Sequence, residues 1–302
     1  PRMRVALEVG THSPWMGRLL GDLGHEVILA NPSRVRSIYE SNDKSDRVDA
    51  QMLARLARSD PKLLYPVKVR SEDQQRGLMV VRARRTLVET RTKLVNHVRG
   101  ACKSFGVRLP KCDAQSFHRS VVSFVPEDVF SVLEPLFRQL EILEGEIRGF
   151  DRRIKEMASQ LDGAEVLQSV DGVGELTAVT YLLTIGDPSR FRRSREVGSY
   201  LGLRPRRDQS GDVDKQLRIT RAGDTYLRSL LVSCAHRVLR ESGPDSALRR
   251  WGMSIVARGG RGAKKRAVVA VARKLSVILH RLWVTGEEYR SFPEGTPEEL
   301  AV

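Results

Sequence analysis

Two short runs frame the start of the chain: RVALEVG (Arg4–Gly10) and HEVILANP (His25–Pro32), separated by PWMGRLLGDLG (14–24). Each run alternates or is continuously apolar and stops at Gly or Pro, as a β-strand does. The segment between them carries apolar residues at helical spacing and closes on Gly24, a helix C-terminal signal. The order strand, helix, strand predicts a parallel pair and therefore an α/β sheet. Two strands cannot cover both faces of such a sheet, and the chain opens Pro-Arg-Met with a strand beginning almost at once. The expectation is that earlier strands of the same sheet are missing, so that the chain is truncated at its N-terminus.

After Pro32 and a polar stretch, SDRVDAQMLARLARSD (45–60) predicts a helix with Val48, Met52, Leu53 and Leu56 on one face and Ser45 as its N-cap. A short KLLYPVKV segment follows. Residues 71–105 form a long, Arg-rich helical pattern, and residues 129–160 a second, with Leu133, Phe137, Leu140, Leu143, Ile147, Phe150 and Ile154 spaced by threes and fours. The two are expected to pair as an antiparallel coiled-coil arm; the intervening GVRLPKCDAQSFHRSVVSFVPED has no regular pattern. From about Asp162 the texture predicts short helices broken by glycines, in VDGVGELTAVTYLLTIGD, SREVGSYLGLRPR and QSGDVDKQLRIT. Two further helices, TYLRSLLVSCAHRVLR and AKKRAVVAVARKLSVILHRLW, precede a tail, FPEGTPEELAV. The division predicted is a first domain over 1–66, the arm over 67–161 and a C-terminal domain over 162–302.

With 302 residues and 40% hydrophobic composition, the chain buries real cores. Its 52 Lys and Arg against 37 Asp and Glu give a net charge of +15, which points to a polyanionic partner. No apolar stretch is long enough to cross a bilayer and the N-terminus lacks signal-peptide character, so a cytoplasmic protein without a membrane partner is expected. Cys102, Cys112 and Cys234 have neither metal-ligand spacing nor the number for a disulfide framework.

Among the acids, S-D-x-x-D at Ser45–Asp49 is locally a capped helix start, since acids suit the positive end of the helix dipole. Glu8 closes the strand VALE, where open α/β sheets place their sites. With Asp46 and Asp49 on one helix face, it could hold Mg²⁺ together with waters and phosphate oxygens. GVGELTAV (172–179) resembles a helix-hairpin-helix, in which the turn glycines, Gly172 and Gly174, let helix N-terminal amides grip phosphate; its bland alternative is a turn before a buried helix. Arg190, Arg192, Arg193, Arg195, Arg204, Arg206 and Arg207 cluster with few acids between them, as do Arg258, Arg261, Lys264, Lys265 and Arg266. One-sign clustering favours contact with a nucleic-acid backbone. Lys264 to Arg266 also stand at a helix start, where the dipole disfavours them. Ser210 lies in a polar turn with no histidine near it; a loop serine is ordinarily a turn residue, and if this one attacks anything, a metal or a distant acid must activate it. His12, His25, His97, His118, His236 and His280 are scattered singly and read as structural or surface.

Taken in order, VALEVG, LGHEVILANPSRVR, KSDRVDAQMLARL, the Arg-rich helix, VDGVGELTA, SYLGLRPRRDQSG, RITRAGDTYLRSLL and KKRAVVAVARKL resemble the IS110 family of insertion-sequence transposases over nearly the whole chain. The resemblance implies a RuvC-like (RNase H fold) first domain, a coiled-coil arm and a helical C-terminal transposase domain. It implies a DEDD recombinase acting on donor and target DNA, guided by a structured non-coding RNA and working as a homo-oligomer, a dimer or tetramer. By position, the family's metal-binding acids match Glu8, Asp46 and Asp49, and its nucleophilic serine matches Ser210. Ser210 would then form a phosphoserine link to DNA, with acids and serine meeting across subunits. The family's first Asp lies on an opening strand that has no counterpart here, and neither Asp22 nor Asp43 replaces it. Two other readings follow from the same residues: a metal-dependent nuclease in which Ser210 is structural, and a catalytically dead nucleic-acid-binding protein.

Overall fold

The computed structural model describes residues 1–35 and 45–292. Asp43 and residues 293–302 of the expected tail lie outside them. The chain divides into two compact units, Pro1–Asp73 and Gln74–Val302.

In the first unit, β1 (Arg4–Glu8) and β2 (Glu26–Ala30) pair in parallel, with Arg4 opposite Glu26 and Glu8 opposite Ala30, and α1 (Ser13–Asp22) makes the crossover. The strand, helix, strand expectation therefore holds. Gly24 takes φ +84°, a conformation that closes α1 without the Cβ penalty. A short α2 (Pro32–Val35) follows β2, and α3 (Asp46–Ser59) packs on β1. Beyond β2 the chain returns antiparallel to it: Asn31 N–H donates to Leu64 O at 3.0 Å and Val67 N–H to Leu29 O at 2.8 Å. Ile28, Ala30, Val35, Leu53, Ala57 and Leu64 form this unit's small core. Removing such aliphatic side chains from water contributes roughly 1.5–3 kcal/mol each.

The second unit is helical. After α4 (Glu72–Ser104), residues 105–126 hold α5 (Phe117–Ser120) and a 3₁₀ turn, Val122–Phe124, in the stretch that lacked a sequence pattern. Then α6 (Glu127–Gln160) returns. Arg84 bonds Asp151 at 2.5 Å and Arg91 bonds Glu144 at 2.6 Å, so seven residues forward on α4 match seven back on α6. The two helices are antiparallel. Leu133, Phe137, Leu140, Glu144, Ile147, Asp151, Ile154 and Ala158 recur at alternating steps of four and three. All but Asp151 are buried.

Residues 164–292 supply α7 (Ala164–Gln168), α8 (Glu175–Ile185), α9 (Arg195–Tyr200), β3 (Pro205–Ser210), β4 (Val213–Ile219), α10 (Thr225–Val238), α11 (Ala247–Ala257) and α12 (Ala263–Thr285). Every residue of α8 from Thr177 to Ile185 is buried, which makes it the central helix of this part. Tyr181 donates from its hydroxyl to Ser276 O at 2.7 Å, tying α8 to α12. The expectation of short helices alone fails over 205–219. PRRDQS and VDKQLRI form an antiparallel hairpin closed by the two-residue loop Gly211–Asp212. Gly211 has φ +56° and Asp212 does not share a positive φ, the pattern of a II′ turn, whose twist matches that of paired strands.

Candidate functional site

The carboxylates of the first unit owe their placement to two elements. Glu8 is the last residue of β1 and is exposed. Ser45 caps α3 with extended backbone (φ −144°, ψ 150°), its Oγ accepting from Val48 N–H at 3.3 Å. Asp46 and Asp49 thus stand in the first turn, Asp46 exposed and Asp49 half-buried. Arg4, at the start of β1, donates from Nη1 to Ala57 O at 3.1 Å near the end of α3. Among the described residues, no three His, Cys, Asp or Glu side chains close into a metal cage.

Ser210 is the final residue of β3, exposed, at the tip of the hairpin. The base of the hairpin is built tightly. Thr220 N–H donates to Arg204 O at 2.9 Å and Arg221 N–H to Gly202 O at 3.1 Å, Arg221 holding φ +59°. A Cβ on Gly202 would stand 2.3 Å from Ala222 N, and one on Gly223 2.3 Å from Tyr200 O, so only glycine fits either place. Arg228 of α10, buried, donates from Nη1 to Leu201 O at 2.9 Å and to Ala222 O at 2.6 Å, and from Nη2 to Thr225 Oγ1 at 3.2 Å. Burial lowers the pKa of this guanidinium, against the opposing field of Asp224. Sequence singled out Arg206, Arg207 and Ser210 but neither the hairpin that carries them nor Arg228.

The basic residues separate into those turned to solvent and those used inside the fold. Arg192, Arg193, Arg195, Arg204, Arg206 and Arg207 are exposed, as are Arg258, Arg261, Lys264 and Lys265. Arg190 is partly committed: its Nη1 donates to Ile185 O at 3.3 Å, and its guanidinium stands over Phe191 and Tyr200 at 5.3 and 4.8 Å from the ring centroids. Arg266 is exposed as well and also bonds within the basic loop. Its Nη1 donates to Arg261 O at 2.6 Å and its Nη2 to Gly259 O at 2.8 Å, which ties the glycine loop to the start of α12. This also accounts for a cation at a helix start, where the dipole alone disfavours one.

At Gly172 the backbone has φ +89°, and the Arg237 stem packs on it. Gly174 is the extended N-cap of α8, with Glu175 in the first turn. The turn thus precedes a buried helix, and a carboxylate already stands at its positive end. Further along, the exposed 188–195 segment is anchored by His280, whose Nε2 donates to Pro188 O at 3.0 Å and whose Nδ1 accepts from Ser194 Oγ at 3.0 Å. Burial lowers the His280 pKa, with the Pro188 bond opposing. Gly198 lies against the Arg273 stem, so α9 runs back along α12. No helix of the described residues is long and apolar enough to cross a membrane.

A family model described as "Transposase IS116/IS110/IS902 family" matches residues 164–250, and a DEDD-type IS110 transposase model matches residues 2–105. The chain is 31% identical over 299 residues to the putative transposase y4pF/y4sB of Sinorhizobium fredii, covering 96% of this chain and 75% of the relative. It is 30% identical over 290 residues to the transposase for insertion sequence element IS1111A of Coxiella burnetii, covering 93% and 77%. A "pilin gene-inverting protein" of Moraxella bovis is 26% identical over 260 residues, covering 84% and 71%. The chain belongs to the IS110 family of transposases, enzymes that recombine the DNA of insertion sequences.

Proposed function

We propose that this transposase cuts and joins DNA through a serine nucleophile, Ser210, supported by a Mg²⁺ site on Glu8, Asp46 and Asp49. The observation that carries the proposal is the placement of Ser210, exposed at the tip of a hairpin whose base is locked by glycine packing and a buried arginine. A turn serine with only a hydrogen-bonding role does not require such a foundation. In the proposed step the Ser210 oxygen forms a bond to phosphorus and a bridging phosphorus–oxygen bond to a deoxyribose breaks. The leaving oxygen takes up a proton, and the hydroxyl proton of Ser210 passes to solvent or a carboxylate.

A DEDD-type domain works with a divalent cation. The donor set has suitable chemistry: three carboxylates, hard oxygen ligands, two from the first turn of a helix and one from a strand end. Because no three such side chains group around a cation among the described residues, we take the cation to be taken up together with the phosphate it acts on. Bound there, Mg²⁺ would neutralise charge on the transferring phosphoryl group. The acids belong to the first unit and Ser210 to the second, and we take them to be supplied by different copies in a homo-oligomer.

The exposed arginines of 192–207 and the basic loop before α12 suit backbone contacts. We take their partners to be donor and target DNA and a structured guide RNA, read by shape and phosphate while base pairing reads sequence. The test is Ser210→Ala with cognate DNA, RNA and Mg²⁺. Loss of protein-linked DNA with nucleic-acid binding intact is expected. Mg²⁺-dependent cutting in the variant at the wild-type rate, with no adduct in either protein, would instead make this a water-using nuclease.

A further inference from the structure

The hairpin that carries Ser210 meets the rest of its unit at two feet. One is the entering backbone at Leu201–Arg204 and the other the departing backbone at Thr220–Gly223, and two direct hydrogen bonds, Thr220 to Arg204 and Arg221 to Gly202, join them. Past the feet β3 is solvent-facing, exposed from Arg206 to Ser210. The direction in which Ser210 points is therefore set at the base. A small rotation there moves the tip through a larger arc.

One buried side chain touches both feet. Arg228 Nη1 donates to Leu201 O and to Ala222 O, and its other nitrogen is fixed by Thr225 Oγ1. Leu201 is fully buried and Leu203 nearly so, which anchors the first foot in the core. The second foot is held in a conformation its residues would not choose unaided: Arg221 is a non-glycine at φ +59°. Left-handed backbone at such a residue persists only where its surroundings over-determine it. Gly202 and Gly223, each in van der Waals contact with the opposite foot, leave no slack for a second arrangement. A guanidinium suits this role because its fork of donors is rigid and its charge persists on burial.

We propose that Arg228 is the positioning residue of the Ser210 hairpin: by cross-linking Leu201 and Ala222 it fixes the angle from which the serine approaches the phosphodiester. This rests on the assignment of Ser210 as nucleophile and adds to it a residue that never touches DNA. Arg228→Met removes the donors while keeping much of the stem, and Arg228→Lys returns a charge and a donor group without the fork and with a shorter reach.

The experiment measures the rate of covalent adduct formation at saturating DNA, the DNA concentration for half-saturation, and hydrogen exchange at the amides of Thr220 and Arg221, all on folded protein. Arg228→Met should lose about 10²-fold in adduct rate, the scale for a misplaced reacting group. Half-saturation should be unchanged, exchange at the two amides faster, and Arg228→Lys should recover part of the rate. If Arg228→Met does not fold, Thr225→Val carries the test, with a several-fold loss expected and the same selective exchange. A folded Arg228→Met, or failing that Thr225→Val, that forms adduct at the wild-type rate overturns the positioning role alone. Wild-type protein that forms no Ser210-dependent adduct overturns the nucleophile, and the positioning role with it.

Discussion

Arg91 and Glu144 form an ion pair inside the seam between the two long helices, Nη1 to Oε2 at 2.6 Å, with side chains only 11% and 5% exposed. They stand where an apolar stripe would otherwise continue, between a core cluster around Val98 and Phe137 and another around Leu78 and Ile154. Arg91 also buries an Nε that has no hydrogen-bond partner. Charge of this kind costs desolvation, and its use is to reject other registers, because sliding either helix would leave a buried charge alone.

Removing one partner should therefore hurt more than removing both. Glu144→Ala is expected to destabilise the folded chain by about 3–5 kcal/mol, whereas Arg91→Leu with Glu144→Leu should regain most of that loss. Denaturant unfolding of the single and double variants checks this. Equal destabilisation in both would mean the pair does not act as a unit.

The stability should fall in mild acid. Burial lowers the pKa of His280 and, with help from Arg119, that of His118. The unfolded chain then binds the proton first as pH drops through about 6.5. The contribution of these histidines is complete above that pH and is lost progressively toward their folded-state values. Melting temperature against pH should thus slope down below about 6.5, less steeply in His280→Gln. An unchanged slope in that variant would remove His280 from the account.

The basic residues should divide by function. Arg192→Ala and Arg193→Ala ought to weaken RNA and DNA binding and each lower the salt dependence by about one counterion. Arg266→Ala, which breaks the bonds to Arg261 O and Gly259 O, should lower thermal stability with much less change in the salt slope. Binding titrations across ionic strength separate the two classes.

Much of this was legible from sequence where the local pattern and the fold agree. RVALEVG and HEVILANP became a parallel pair, Ser45 capped α3, and the three–four spacing marked Leu133, Phe137, Leu140, Ile147 and Ile154 as buried, whereas Leu143 and Phe150 of the same stripe are half-buried and Glu144 takes a buried place on the seam. The hairpin was not legible, because PRRDQS contains no β-branched or aromatic residue and owes its strand to pairing with VDKQLRI. A Gly-Asp pair between two equally spaced runs was the available signal. The loop bonds of Arg266 were hidden for a related reason: charge density says nothing about which guanidinium also bonds a neighbouring carbonyl. Arg228 was invisible among 52 basic residues until its burial and its two carbonyl partners were seen together.

Metal dependence should reside in the first unit. Glu8→Gln and Asp49→Asn are each expected to reduce DNA cleavage by at least about 10²-fold, the scale for losing one electrostatic stabiliser. RNA binding should be retained, and chelation of divalent cations should abolish cleavage in the wild type. Cleavage that survives both substitutions would remove these acids from the site.

The measurement that bears most directly on the central claim is the mass of one peptide. Trypsin cutting after Arg207 and Lys215 releases DQSGDVDK, Asp208–Lys215, with Ser210 as its only hydroxyl side chain. After reaction with cognate DNA, RNA and Mg²⁺, followed by denaturation and nuclease trimming, that peptide should carry a nucleotide phosphate on Ser210, absent in Ser210→Ala. A linked nucleotide on any other residue, or cut and rejoined DNA with this peptide unmodified throughout the time course, would contradict a serine mechanism.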